Sequence, residues 1–322
     1  MSWIFRAKNV PLLATVFVCA LLYTAAALRL DHFFSLGVFI NFFRNNGPLG
    51  IAAIGLTFVI LSGGIDLSIG SVIGCTGIII ATLAERGWEP WTAAPVALAL
   101  GSAFGFVMGC LIHFFQLAPF LVTLAGLFFA RGLAAIISVH SIGLTRESFV
   151  RLSEMAIPLT SDVAIPLAAS VFFAVAVIAA LVAIFTPFGR NVYAIGGDEH
   201  SAVLMGLPVG RTKIAIYTLS GFCSALAGVV YSVSIGSGNA TAAEGLELDA
   251  IAAVVIGGTL LTGGVGSIWG TVIGVLILAI IRTALNFEGT ISSWWARIII
   301  GALLLIFIAL QKLLTRRTEA AH

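Results

Sequence analysis

Leu61-Ser62-Gly63-Gly64-Ile65-Asp66-Leu67-Ser68-Ile69-Gly70-Ser71-Val72-Ile73-Gly74 has a second copy two hundred residues further on. It reads Leu261-Thr262-Gly263-Gly264-Val265-Gly266-Ser267-Ile268-Trp269-Gly270-Thr271-Val272-Ile273-Gly274. Seven of the fourteen aligned positions are identical and three more are Ser/Thr or Ile/Val exchanges. In each copy a Gly-Gly pair interrupts a long apolar run. Each such glycine weakens a helix by about 1 kcal/mol relative to Ala. In a lipid environment the backbone groups freed by a break must be satisfied by protein or by a water-filled cavity. Matched interruptions in two halves of a chain therefore point to a transport pathway. Gly63-Gly64 and Gly263-Gly264 read as broken helices beside that pathway. Gly70, Gly74, Gly270 and Gly274, spaced by four, read as small-residue packing surfaces.

The rest of the chain agrees with a membrane reading. Of 322 residues 60% are hydrophobic and 9% are charged, and 35 are glycine. Soluble domains carry roughly 25% charged residues, and a globule of this size cannot hide so much apolar surface. A soluble enzyme, a disordered chain and a disulfide-stapled secreted domain are excluded. Apolar runs fall at about 10–28, 47–62, 68–84, 92–112, 119–137, 166–186, 214–236, 250–266, 267–285 and 296–311. Their length and continuity exclude a β-barrel and fit about ten helices of roughly 20 residues each. The expected fold is an all-α polytopic membrane protein, one transmembrane domain over residues 1–322, with an internal repeat and helices broken at Gly-Gly pairs. The first run, after Arg6 and Lys8, exceeds the roughly 7–15 residues of a signal h-region and reads as an uncleaved helix.

Ten spans place both termini on one side. With that side cytoplasmic, Arg6, Lys8, Arg190, Arg211, Lys213, Lys312, Arg316 and Arg317 lie inside, against five basic residues outside. This is the positive-inside distribution. Cys19, Cys75, Cys110 and Cys223 all fall in apolar runs and read as small buried hydrophobes; no metal site is expected.

Asp66 is the one acid at the first break. An ionisable side chain at membrane depth suggests function, but a carboxylate there can also cap the helix that follows. Capping comes first, and it is compatible with lining a pathway together with Ser62 and Ser68. The largest cytoplasmic connector, 187–213, contains Asp198 as the start of a short helix running to about Met205, with Gly206 and Pro208 as stop signals. A two-turn amphipathic helix carrying Ala202, Val203 and Met205, tied between two spans, is suited to docking a partner. Lys8, Lys213 and Lys312 are the only lysines, and none lies in a G-x-x-x-x-G-K-[ST] loop. The chain therefore has no such means of hydrolysing ATP, and no Ser-His-Asp, HExxH or paired carboxylate constellation marks it as an enzyme.

Three stretches together identify a family. Ile60-Leu61-Ser62-Gly63-Gly64-Ile65-Asp66-Leu67-Ser68-Ile69-Gly70-Ser71 resembles the signature of permease subunits of ribose-, arabinose- and galactose-class ATP-binding-cassette importers. Phe188-Gly189-Arg190-Asn191-Val192-Tyr193-Ala194-Ile195-Gly196-Gly197, continuing to Met205-Gly206, is similar to that family's cytoplasmic loop. Glu247-Leu248-Asp249-Ala250-Ile251-Ala252-Ala253-Val254-Val255-Ile256-Gly257-Gly258-Thr259 is similar to its third block. Asn286-Phe287-Glu288-Gly289-Thr290-Ile291-Ser292-Ser293-Trp294-Trp295 resembles the galactofuranose-type permeases in particular. The resemblance implies a bacterial inner-membrane permease that moves a monosaccharide, galactofuranose or a related sugar, by alternating access. It implies three protein partners in the lipid bilayer: an ATPase that uses ATP, a second permease subunit (the same or a related chain), and a periplasmic sugar-binding protein. No nucleic acid and no cofactor bound by this chain are implied. Gly189, Arg190, Tyr193, Gly196, Gly197, Asp198, Ala202 and Gly206 are carried over as the ATPase-coupling region. Ser62, Gly63, Gly64, Asp66, Ser68, Gly263 and Gly264 are the candidate pathway residues. The alternative is an ion-coupled secondary transporter in which Asp66 carries a proton or sodium ion.

Overall fold

The computed structural model describes residues 10–159, 163–288 and 294–319. Arg6, Lys8, the stretch 289–293 and the side chains of Lys312, Arg316 and Arg317 lie outside what is described. The chain is helical almost throughout, in the order α1 (Val10–Arg29), α2 (Leu36–Leu61), α3 (Ile69–Glu85), α4 (Pro90–Phe114) and α5 (Pro119–Ile137). A connector follows, with β1 (Ile142–Gly143), α6 (Glu147–Glu154), β2 (Ala156–Pro158) and β3 (Ala164–Pro166). Then come α7 (Leu167–Phe185), α8 (Pro187–Gly197), α9 (Glu199–Leu204) and α10 (Val209–Ile235). The chain closes with β4 (Ser237–Gly238), α11 (Leu246–Ile256), α12 (Ile268–Glu288) and α13 (Trp294–Glu319). Among the described residues six helices, α1, α4, α5, α7, α10 and α12, are each long and apolar enough to cross a membrane, and the chain is a multi-pass membrane protein. The strands form two short antiparallel pairs, β1 with β4 and β2 with β3, which tie the connectors at one end of the bundle.

α2 is the axis of the molecule. Every residue from Asn46 to Leu61 is buried, which is the signature of a helix surrounded by other helices. The helix begins eleven residues before the expected run. Arg44-Asn45-Asn46-Gly47-Pro48 looks like a boundary in the sequence, yet the structure satisfies its polar groups in place. The Asn46 amide donates to Phe42 O (3.0 Å), Arg282 donates to Asn46 Oδ1 (3.3 Å), and Ser35 caps the true N-terminus by accepting from the Val38 N–H (3.2 Å). α1 is fastened to the core through buried Thr15, whose hydroxyl donates to Ile256 O at 2.7 Å.

Small residues set the closest helix contacts. α4 and α10 cross at Gly101, Gly105 and Gly221, where a Cβ on Gly105 would land on the Tyr217 carbonyl. Gly70 and Gly74 lie against the loop before α11, and Gly270 and Gly274 against the backbone of Gly257 and Ala253. The four-residue glycine spacing is thus used for packing without side chains, as small-xxx-small helix surfaces are.

The second break is longer than its sequence suggests. The apolar run 250–266 reads as one span, but α11 ends at Ile256 after 11 residues. That helix is about 16 Å long, half the roughly 30 Å hydrocarbon thickness. Residues 257–267 then run without helix to α12. Gly258, Gly263 and Gly264 have φ of 90°, 87° and 75°, values that L side chains rarely adopt. Apolarity alone does not separate a buried extended segment from a buried helix. The first break, residues 62–68, is shorter and has one such residue, Gly63 (φ 79°).

Candidate functional site

The two breaks are held apart in sequence and together in space. α2 and α12 are linked by a hydrogen bond between the buried hydroxyls of Thr57 and Thr271 (2.7 Å). Further along, the Gly264 N–H donates to Leu61 O at 2.9 Å, joining the second Gly-Gly pair to the last residue of α2. Ser62 turns its hydroxyl back onto Val59 O (2.8 Å).

A third glycine pair completes this junction. Gly196-Gly197 ends α8, and its backbone is wedged against both breaks. A Cβ on Gly263 would stand 2.8 Å from Gly63 N and 2.9 Å from Gly196 Cα; one on Gly264 would stand 3.0 Å from Gly197 Cα. A Cβ on Gly196 would collide with the Leu61 carbonyl. Tyr193, one turn earlier, donates its hydroxyl to Gly266 O (3.0 Å), and burial pushes its phenol above the usual range. The candidate pathway glycines therefore meet Gly196-Gly197 of the candidate coupling region by backbone-to-backbone contact, whereas Gly189 packs on Ala183 and Gly206 lies away from the junction.

The helix α8 was not foreseen, although its signal is local. Thr186 accepts from the Gly189 N–H (3.1 Å) and Pro187 occupies the first helical position, a pairing that starts helices because proline has no N–H to leave unsatisfied. Gly189 packs directly on the Ala183 backbone, so the turn from α7 into α8 is tight. α9 matches the helix expected from Asp198. The Asp198 carboxylate accepts from the Ser201 N–H at 2.6 Å, and hydrogen bonds from Ser201, helped by nearby His200, hold it below the ordinary carboxylate range. Gly206 closes the motif at φ 75°.

Ala202 is fully buried against Ile195 and Val209, so it fixes α9 to α8 and α10 and does not face outward. The outward face is Val203, Leu204 and Met205, exposed to 55%, 74% and 68%. Leu204 joins the expected apolar positions Val203 and Met205 on this face, and Ala202 leaves it. Arg190 and Glu199 are exposed, and Lys213 pairs with Glu199 (2.6 Å), anchoring α9 to the start of α10.

Asp66 lies deeper, level with the middle of α10. One carboxylate oxygen accepts from the Ser68 N–H (2.9 Å) and the Ser68 hydroxyl (2.6 Å), the other from the Ser220 hydroxyl (2.7 Å). Its residue exposure is 1%. The carboxyl group sits just before the N-terminus of α3. The side chain thus pins the turn 62–68 to α10; contrary to the capping expectation it bonds Ser68, the N-cap residue itself, and no N–H inside α3. Among the described residues no group of three or more His, Cys, Asp or Glu side chains is placed to hold a metal ion.

Comparison with known proteins agrees with this architecture. The model of the family described as "Branched-chain amino acid transport system / permease component" matches residues 38–308. The chain is 47% identical to the Escherichia coli K12 inner membrane ABC transporter permease protein YjfF over 309 residues, covering 96% of this chain and 93% of that protein. It is 37% identical to the Bifidobacterium longum fructose import permease protein FruG over 95% of this chain and 91% of the relative. It is 38% identical to the Bacillus subtilis ribose import permease protein RbsC over 85% and 84%. No solved structure matches significantly. With nearly its whole length covered by such relatives, the chain belongs to this family of transport-system permease components.

Proposed function

We propose that this chain is a membrane-spanning subunit of a bacterial inner-membrane ATP-binding-cassette importer for a monosaccharide, with galactofuranose or a related sugar as cargo. Relatives named for ribose and fructose import support the sugar class over the amino acids in the family description. In this reading both termini and the α8–α9 connector face the cytoplasm. An ATPase subunit docks on the apolar knob Val203-Leu204-Met205, a second permease subunit completes the pathway, and a periplasmic binding protein delivers the sugar.

The observation that carries the mechanism is the Gly196–Gly264–Leu61 junction. Closure of the ATPase would push on α9. The buried Ala202, the short α8 and the glycine contact would transmit that push to the ends of α2 and of the 257–267 segment with no side chain to absorb it. Packed elements of this kind shift between discrete arrangements and do not deform smoothly. Tilting the segments that lead into α3 and α12 would open the pathway to one side and then the other.

Asp66 is assigned a positioning role, because all three of its hydrogen bonds come from Ser68 and Ser220. The test is reconstitution of the chain with its three partners in proteoliposomes. Labelled sugar should enter only with ATP present, and Asp66→Asn should not make entry respond to a proton or sodium gradient. Entry driven by an ion gradient in the absence of the ATPase would refute the proposal.

A further inference from the structure

The end of the molecule remote from α8 and α9 carries polar groups that the coupling mechanism does not use. α10 is 27 residues long, about 40 Å, so its C-terminal turn lies across the bundle from the glycine junction. There the chain turns back toward the core through residues 236–245 before starting α11. The turn is held at depth by Arg131 of α5, whose guanidinium donates to Ala240 O and Ala242 O at 2.6 and 2.8 Å.

Two cavities open at this end and share Asp249 in their walls. The first, of about 470 Å³, is lined by Tyr231, Ser237, Asn239, Thr241 and Glu244 as well as Asp249. The second, of about 320 Å³, adds Arg282, Asn286, Trp294 and Arg297 to Asp249, with Leu285 and Ile300 as apolar wall. Both fall within the roughly 300–1,000 Å³ of small-molecule sites. Asp249 and Arg282 form an ion pair (2.5 Å) yet remain 26% and 33% exposed, so both still reach the cavities. Asn239 accepts from the Thr241 N–H (2.9 Å) and hydroxyl (3.0 Å), which fixes its amide plane.

We infer that these two cavities form a carbohydrate-binding vestibule astride Asp249, where an incoming sugar is held on the Tyr231 ring and by its hydroxyls before it enters the bundle. The inference rests on the sugar-import reading above. A sugar ring has an apolar face of C–H groups and a rim of hydroxyls that both donate and accept. The face needs an aromatic surface; the rim needs acceptors and donors at fixed positions. Tyr231 supplies the surface, Asp249 and Glu244 accept, and Arg282 and the Asn239 amide donate. The first cavity sets Ile235, Ala242, Ala243 and Leu246 beside its hydroxyls, amide and carboxylates, a mixed lining that suits a ring with one apolar face and a polar rim. Ionisable side chains inside membrane-spanning elements are costly and face cavities when they are kept; Asp249 and Arg282 fit that pattern.

The test uses the whole importer reconstituted in proteoliposomes with labelled ribose, fructose, galactose and leucine. Tyr231→Phe keeps an aromatic face, whereas Tyr231→Leu keeps apolar bulk without one. The vestibule predicts sugar import within about twofold of wild type for the Phe form and at least tenfold slower import for the Leu form, at equal amounts of assembled complex. Because Tyr231 also packs on the main core, the Leu form is compared for both KM and kcat: the vestibule predicts a raised sugar KM, and equal KM values in the Phe and Leu forms overturn the vestibule while leaving the sugar reading intact. A wild-type importer that moves leucine and none of the sugars overturns the sugar reading itself.

Discussion

Replacing Gly196 by alanine sets two local effects against each other. Gly196 is the penultimate residue of α8, so Ala should favour the helix by about 1 kcal/mol if intrinsic propensity decided the outcome. The junction opposes this. The new methyl would be directed onto the Leu61 carbonyl, with the Gly264 nitrogen 2.5 Å away. Relieving that overlap costs about 1–3 kcal/mol by the usual scale of overpacking. Separating Leu61 from Gly264 breaks their 2.9 Å hydrogen bond and leaves buried backbone groups unpaired, at about 1–3 kcal/mol more. The net cost is about 1–5 kcal/mol, and each 1.4 kcal/mol or so is a factor of ten in rate. ATP-driven import in proteoliposomes should therefore fall by about fivefold or more in Gly196→Ala. The ATPase should still co-purify, because Gly196 lies behind the exposed face of α9. Gly197→Ala is the internal control: its neighbour contributes backbone to the same junction, but a Cβ on Gly197 meets nothing within 4 Å, and import should stay near wild type. Import by Gly196→Ala within twofold of wild type would refute the idea that this contact transmits the ATPase stroke.

Three further outcomes follow from the same geometry. Leu204→Asp or Met205→Asp should abolish co-purification of the ATPase while membrane insertion is unchanged; full recovery of the ATPase would remove the apolar knob as the docking face. Ala202→Phe should have the same effect by a different route, since a ring at this fully buried position must displace α9 at about 1–3 kcal/mol, and undisturbed docking would contradict that packing. Asp66→Ala should lower the yield of folded protein more than Asp66→Asn. It leaves the Ser68 and Ser220 donors unsatisfied at about 1–3 kcal/mol each, whereas the amide oxygen can still accept; equal yields would count against a positioning role.

Much of this molecule is written in local sequence. Long apolar stretches announce membrane helices whatever they pack against, and the ten runs each correspond to a helix or half-helix. Their edges are less legible where polar groups are satisfied internally, as at Asn46, or where an apolar stretch is extended, as at 257–267. The glycine repeat announces two breaks, because paired glycines weaken helices wherever they occur. That Gly63-Gly64, Gly196-Gly197 and Gly263-Gly264 meet at one point is not legible, since no local pattern records the proximity of residues more than sixty apart. The orientation of α9 was hidden for a similar reason. Ala202 and Leu204 are both apolar, and only the packing of Ile195 and Val209 decides which is buried. Tyr231, Asn239 and Asp249 were not singled out as a group, because a turn back toward the core brings them to the same cavity.

The central claim is that this chain is a pathway driven by another subunit. It is tested most directly by measuring labelled monosaccharide uptake into proteoliposomes containing the chain with and without the ATPase subunit. The partner permease and the binding protein are present throughout, and ATP is supplied on the ATPase side. The account predicts uptake that requires both ATP and the ATPase and is indifferent to an imposed proton or sodium gradient. Uptake that proceeds without the ATPase when such a gradient is imposed would contradict it.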